Sequence, residues 1–316
     1  MAENGTNLLR DSSIAGLRKG WNGFIWIMKI VVPVSFLISL LDWSGVLNLL
    51  DFVVQPVMGL LSLPGMAALP LLIGMLAGIY GGIAAMAVLP FTYGQMILMA
   101  NFLLIAHNLI QEGIIQGKSG LPAFKATTIR IVTACITVII LAQLIDTGTA
   151  GTASAVPEAA QSVPFFTMAE KWAMETASLA LKIFLIIMTI LTALEIIKAF
   201  GWIHPIVRFF TPLLRVMGLS EKVGLLWITA VVFGLAYGGA VIVEEARAGH
   251  LSSDELETLQ LSIGINHSMV EDPSLFLSLG LSPLWLWLPR IFIAIAAVRI
   301  MTFWKAYTGR KGSRQP

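Results

Sequence analysis

The chain has 316 residues, 57% of them hydrophobic and only 12% charged, against about 25% charged in an ordinary soluble domain. With a mean hydropathy of +0.85, this composition excludes a water-soluble globule, and apolar runs that are continuous rather than alternating exclude an outer-membrane barrel. The formal charge of +2 comes from basic residues at the two ends, a pattern of membrane topology rather than of a nucleic-acid face, so no nucleic-acid partner is expected.

Residues 1–20 carry Arg10, Arg18 and Lys19 but no apolar run, so they read as a cytoplasmic N-terminal segment, not a cleavable signal, able to lie on the membrane as a short amphipathic helix. The first half, 21–146, holds four clear apolar spans at 24–42, 66–89, 92–110 and 127–146, with a weaker one at 45–63 that contains Asp51, Gln55 and Pro56. Residues 147–167 form a Gly, Thr, Ala, Ser and Pro linker without Lys or Arg, which the positive-inside rule places outside the cytoplasm. The second half, 168–304, offers spans at 174–197, 223–243, 257–280 and 283–304, with a doubtful segment at 203–219 that carries Arg208 and Arg215. The tail 305–316 holds Lys305, Arg310, Lys311 and Arg314 and is expected in the cytoplasm. The single cysteine, Cys135, lies in an apolar run and reads as a small core hydrophobe. No cofactor is expected.

The chain repeats itself. Residues 105–140 laid on 265–300 at a constant offset of 160 give nine identities, among them His107/His267, Gly120/Gly280, Leu121/Leu281 and Arg130/Arg290, with Glu112 opposite Asp272. Upstream, Tyr80-Gly81-Gly82 matches Tyr237-Gly238-Gly239 and Lys29-Ile30 matches Lys182-Ile183. With both termini on one side and the linker on the other, each half crosses an odd number of times. The expected fold is therefore an all-α polytopic membrane protein of 8–10 transmembrane or re-entrant helices in two inverted repeats, the architecture of many secondary transporters.

Three polar constellations interrupt the apolar runs. The Tyr-Gly-Gly pairs (Tyr80, Gly81, Gly82 and Tyr237, Gly238, Gly239) serve either close helix packing or a helix break at a gate. His107, Asn108 and Glu112 face Asn266, His267, Ser268, Glu271 and Asp272 in the alignment. Such groups at the end of an apolar helix are costly unless they face protein or a water-filled cavity, which makes them candidates for binding a solute or coupling ion, or for satisfying one another. His267 and Glu271 at i,i+4 could share a metal, with Glu244 and Glu245 as an alternative cation site or as solvated helix-end charges. Gln111 stands where a symmetric site would need a second carboxylate, so the primary expectation is no metal. Arg130 and Arg290 either snorkel to the interface or pair with substrate or with Glu112 and Asp272. Gly117-Lys118-Ser119 lacks the spacing of a phosphate loop, and no nucleophile elbow or metalloprotease motif occurs, so an enzyme is not expected.

The repeated Lys-Ile start, the Tyr-Gly-Gly helix, the His-x-x-x-x-acid helix and the Gly-Leu before an Arg-led span resemble the Gate, or nucleoside recognition, domain of bacterial inner-membrane proteins. Such domains occur in the permease of ferrous iron transport protein B, resemble parts of concentrative nucleoside transporters, and form the spore maturation proteins A and B. The resemblance covers 20–304 and implies two Gate domains in one chain, as if the two maturation proteins were fused. It implies a multi-pass permease of the bacterial inner membrane, in contact with lipid, moving a small polar solute such as a nucleoside or organic anion, with H+ or Na+ as coupling ion and self-association left open. The chain carries no GTPase domain, so a ferrous-iron-like permease would need a separate partner. A divalent-cation permease and a non-transporting assembly partner are the alternatives.

Overall fold

The computed structural model describes residues 2–148, 163–249 and 251–312, and within these ranges it is helical with no strand. The first half contains α1 (Ala2–Trp43), α2 (Val46–Gly59), α3 (Ala68–Ala77), α4 (Ile79–Val88), α5 (Tyr93–Ala106), α6 (Leu109–Lys118) and α7 (Ala123–Leu141). The second contains α8 (Phe165–Ala199), α9 (Ile203–Met217), α10 (Gly224–Ala248), α11 (Ser253–Asn266), α12 (Glu271–Phe276) and α13 (Pro283–Gly312). Among the described residues, five segments are long and apolar enough to cross a bilayer: Thr6–Trp43, Tyr93–Lys118, Ala123–Leu141, Phe165–Ala199 and Pro283–Lys305. Large apolar side chains such as Leu144, Phe166, Phe209, Phe292 and Phe303 are exposed on the outside, which only lipid can cover at this density. The chain is an all-α polytopic membrane protein.

The helices differ from expectation at the edges. Residues 6–20 form no separate surface helix, because α1 continues through them without a break. The two doubtful segments become α2 and α9, of 14 and 15 residues. At 1.5 Å per residue each reaches roughly 21–23 Å, short of the ~30 Å hydrocarbon core, so neither spans it upright. The linker residues 149–162 and the tail from 313 lie outside the described residues.

The two halves face each other in opposite directions. α1 lies lengthwise on α8: Gly16 abuts Thr192, Gly20 abuts Met188, and the Trp43 indole donates to the Val163 carbonyl at 2.8 Å. Rising numbers on one helix meet falling numbers on the other, so these equivalent helices are antiparallel. Glycines at i,i+4 on α1 allow the close approach. At the centre, every residue of α5 from Gly94 onward except Met96 is buried, as is the C-terminal half of α11, polar Asn101, Gln260 and Ser262 included. One contiguous core joins them, drawing Leu103, Leu104 and Ile105 from the first half and Ile263, Ile265 and Phe276 from the second.

Candidate functional site

The same local construction appears twice. Thr92 caps α5 in a reciprocal pair with Gln95, and Ser252 caps α11 with Glu255, satisfying orphan amides at each start. Both helices then stop at a histidine. His107 (φ −87°, ψ 164°) and His267 (φ −66°, ψ 159°) are extended, and the next residues, Asn108 (φ 48°) and Ser268 (φ 50°), turn left-handed. Each turn is tied to the preceding broken helix: Asn108 N–H donates to the Gly74 carbonyl and Ser268 N–H to the Ala230 carbonyl, both at 3.0 Å.

Those preceding helices break at glycines with nearly identical backbone. Gly78 (φ 96°, ψ 169°) separates α3 from α4, and Gly234 (φ 81°, ψ 168°) kinks α10, a conformation that only glycine adopts readily. The breaks therefore fall before the Tyr-Gly-Gly triplets, not within them. Gly81, Gly82, Gly238 and Gly239 are helical, and their small size serves packing. A Cβ on Gly238 would lie 2.6 Å from Ala230 Cα, and one on Gly82 would lie 3.3 Å from the Pro70 carbonyl and 3.4 Å from Gly74 Cα. Gly74, Gly78 and Gly82 correspond to Ala230, Gly234 and Gly238 at an offset of 156, one residue away from the register of the Tyr-Gly-Gly match. The side chain of Tyr237 lies outside the described residues.

Two buried arginines hold the ends of α5 and α11. Arg130 Nε donates to the Ile105 carbonyl at 2.7 Å and its Nη2 to the His107 carbonyl at 2.8 Å. Arg290 repeats this on Ile265 and His267, both at 2.6 Å. Neither snorkels: they are 1% and 0% exposed. Their forks satisfy carbonyls that the helix breaks leave orphaned, a role that depends on guanidinium geometry. Arg130 Nη1 also stands 2.7 Å from Glu112 Oε2.

The four arms converge on one cavity of about 350 Å3, within the range of small-molecule sites. His107, Asn108, Gln111 and Glu112 line it from the first half and His267, Ser268, Glu271 and Asp272 from the second, with both kink glycines in its wall. Trp26 packs edge-on against Tyr80 at 5.2 Å beside it, and Phe233 adds a second aromatic wall. The Tyr80 hydroxyl donates to Glu271 Oε1 at 2.8 Å.

At its floor His107 and His267 meet, Nε2 to Nε2, at 3.5 Å. Glu112 reaches both rings, with Oε1 at 3.2 Å from His107 Nε2 and Oε2 at 3.2 Å from His267 Nε2. Asp272 Oδ2 stands 3.5 Å from His107 Nε2. Each ring bonds a backbone carbonyl through Nδ1, His107 to Leu103 at 2.8 Å and His267 to Ile263 at 2.9 Å.

Seven of the eight residues that the sequence singled out for binding line this cavity. Asn266 is buried but does not. The cation grouping of Glu244, Glu245, His267 and Glu271 does not form. Glu244 lines a separate pocket with Arg247 at the other end of α10, and Glu271 is engaged by Tyr80. The residues that do cluster at metal-ligand distances are His107, Glu112 and His267, a set that crosses the halves and so has no sequence spacing to reveal it. Trp26, Phe233 and the capping role of the arginines were likewise not singled out. Gly78 and Gly234 were visible only as two glycines among several.

No known family profile matches the chain, and no solved structure matches it. The sequence is 28% identical over 303 residues to YvoD of Bacillus subtilis (strain 168), described as an uncharacterized membrane protein, with 94% of this chain and 95% of that protein covered. A relationship along nearly the whole length places the described fold, as a membrane protein, beside at least one other of its size.

Proposed function

We propose that the protein is a permease of the bacterial inner membrane, with both termini cytoplasmic, whose small polar solute occupies the cavity between the two halves. The observation that carries this reading is the convergence of two broken-helix pairs, related by an antiparallel repeat, on one polar cavity. Broken helices at the interface of inverted repeats are how secondary transporters place backbone groups around a substrate and rock one half against the other. The resemblance to Gate domains, read from the paired His, acid and Arg positions, supports the same function and suggests a nucleoside or organic anion as cargo. Trp26 and Phe233 give an apolar wall on which a planar base could stack, while Asn108, Gln111 and Ser268 supply hydrogen-bonding groups.

The test begins with thermal stability of the purified protein in detergent against nucleosides and small dicarboxylates. A ligand at 100 times its Kd adds about 2.7 kcal/mol to the bound state. The stabilising solute is then followed into proteoliposomes with the wild-type protein and with Trp26→Ala and Gln111→Ala, two residues that line the cavity apart from the histidine cluster. Saturable uptake that either substitution weakens at least tenfold supports the proposal. Wild-type vesicles no more permeable than empty ones across the panel would refute it.

A further inference from the structure

Around the two histidines the floor of the cavity is rich in groups that accept, with Arg130 Nη1 as a donor on its Glu112 side. A carbonyl oxygen cannot donate, so the bonds to Leu103 and Ile263 place the proton of each neutral imidazole on Nδ1 and leave a lone pair on each Nε2. Those two lone pairs face each other at 3.5 Å and face the Glu112 carboxylate at 3.2 Å on either side. Asp272 Oδ2 is buried and makes no hydrogen bond, while Glu112 Oε2 has Arg130 Nη1 at 2.7 Å. Facing lone pairs and carboxylates on buried side chains favour an electropositive centre among them.

From this geometry we infer a site for one divalent transition-metal ion, held by His107 Nε2, His267 Nε2 and the Glu112 carboxylate, with a fourth position left for water or solute. The spacings agree with such an ion. Tetrahedral ligands at about 2.0–2.2 Å from zinc lie about 3.3–3.6 Å apart, and the three donor pairs here stand at 3.2, 3.2 and 3.5 Å. Bonding of each Nδ1 to a main-chain carbonyl is the usual outer support of a metal-bound imidazole, fixing tautomer and ring orientation. Two imidazoles with a carboxylate suit zinc, cobalt, iron or manganese, and not calcium or magnesium, which prefer all-oxygen sets.

Charge also fits. Arg130 and Arg290 supply two cationic groups against three carboxyl groups, Glu112, Asp272 and Glu271, so the acids outnumber the arginines. Each guanidinium spends two of its N–H groups on helix-end carbonyls, and Arg130 Nη1 also meets Glu112 Oε2 at 2.7 Å, which leaves that carboxylate its second oxygen for an ion. The site stands apart from the transport proposal: an ion held here could be cargo, or could organise the cavity floor for another solute, and its presence is measured without flux.

The experiment strips the full-length protein in detergent micelles with a chelator and titrates it with Co2+. Tetrahedral Co2+ with nitrogen ligands gives strong visible absorption, and Zn2+ should displace it at one equivalent per chain. In His267→Ala and in the near-isosteric Glu112→Gln, affinity should fall by more than the roughly 10- to 100-fold that loss of an outer hydrogen-bond partner costs. Glu112→Gln keeps shape and size, so it remains informative if the histidine variant fails to fold. Absence of stoichiometric binding by the wild-type protein overturns the inference and leaves a shared proton as the centre. Binding that survives both substitutions undiminished overturns it equally.

Discussion

Replacing Arg290 by methionine isolates what the buried guanidinium does for the helix break. Methionine keeps most of the stem volume but none of the donors, so the carbonyls of the buried residues Ile265 and His267, each bonded at 2.6 Å, lose their partners. A buried polar group left unsatisfied costs about 1–3 kcal/mol, so the two together cost about 2–6 kcal/mol. At roughly 2–4 °C per kcal/mol for a chain of this order of size, the thermal midpoint should drop by on the order of 10 °C. Arg290→Lys retains the charge but reaches one carbonyl at most, and should fall between the two. Arg130→Met should lose more than Arg290→Met, because Arg130 also faces Glu112 at 2.7 Å. The assay is a melt in detergent followed by tryptophan fluorescence, for which Trp287, bonded to the Met269 carbonyl at 2.7 Å, is a nearby reporter. An Arg290→Met protein that melts within about 2 °C of wild type would refute the capping argument, since the expected loss is several times larger.

Ser268 sits at φ 50°, a region that costs a non-glycine residue about 1–3 kcal/mol. Ser268→Gly should therefore hold or raise the melting temperature and Ser268→Val should lower it, and the reverse order in the same melt would contradict the backbone reading. A methyl group on Gly238 would lie 2.6 Å from Ala230 Cα, and since that neighbour is backbone, Gly238→Ala should cost about 1–3 kcal/mol or prevent folding; a monodisperse variant with a wild-type melt would count against it. Hydrogen bonds from the Ser252 backbone, then from the Ser220 and Ser252 hydroxyls, hold the Glu255 carboxyl below its ordinary range. Its contribution to stability is therefore full above the usual glutamate value of about 4.3 and fades as pH falls through the lowered one. Across that acid window the wild type should lose more of its melting temperature than Glu255→Gln does, and parallel curves would show the shift to be absent. Finally, reporter fusions at residue 155 and at the C-terminus should report opposite sides of the membrane, and agreement between them would break the inverted-repeat topology.

Much of this site was legible because polar residues are conspicuous in an apolar chain. His107, Glu112, His267 and Asp272 stand out by cost alone, and the repeat pairs them. What the sequence could not show is contact between the halves: nothing in the spacing of Glu112 and Asp272 reveals that the first reaches both imidazoles and the second only His107. The position of the helix breaks was obscured by abundance. Four glycines between Gly74 and Gly82 could each have taken the left-handed backbone, and the Tyr-Gly-Gly match drew the break toward the wrong pair. Arg130 and Arg290 resembled interfacial anchors because their true partners are main-chain carbonyls, which carry no residue identity. Whether α2 and α9 span was left open by the sequence because Asp51 and Gln55 in one and Arg208 and Arg215 in the other suit a short crossing and an interfacial helix equally.

His107 touches the residue that is its own counterpart. Contact between equivalent positions happens only on a two-fold axis, and it is the contact that two identical half-length chains would make on forming an isologous dimer. In such a dimer the two acids flanking the histidines would be obliged to match. Joined in one chain they are released from that obligation, and here they have diverged: glutamate on one side and the shorter aspartate on the other, with glutamine at 111 answering glutamate at 271. A symmetric floor offers a bound guest two equivalent poses, whereas this one offers a single orientation. The unlike acids thus give the centre a sense of direction that no pair of identical subunits could possess.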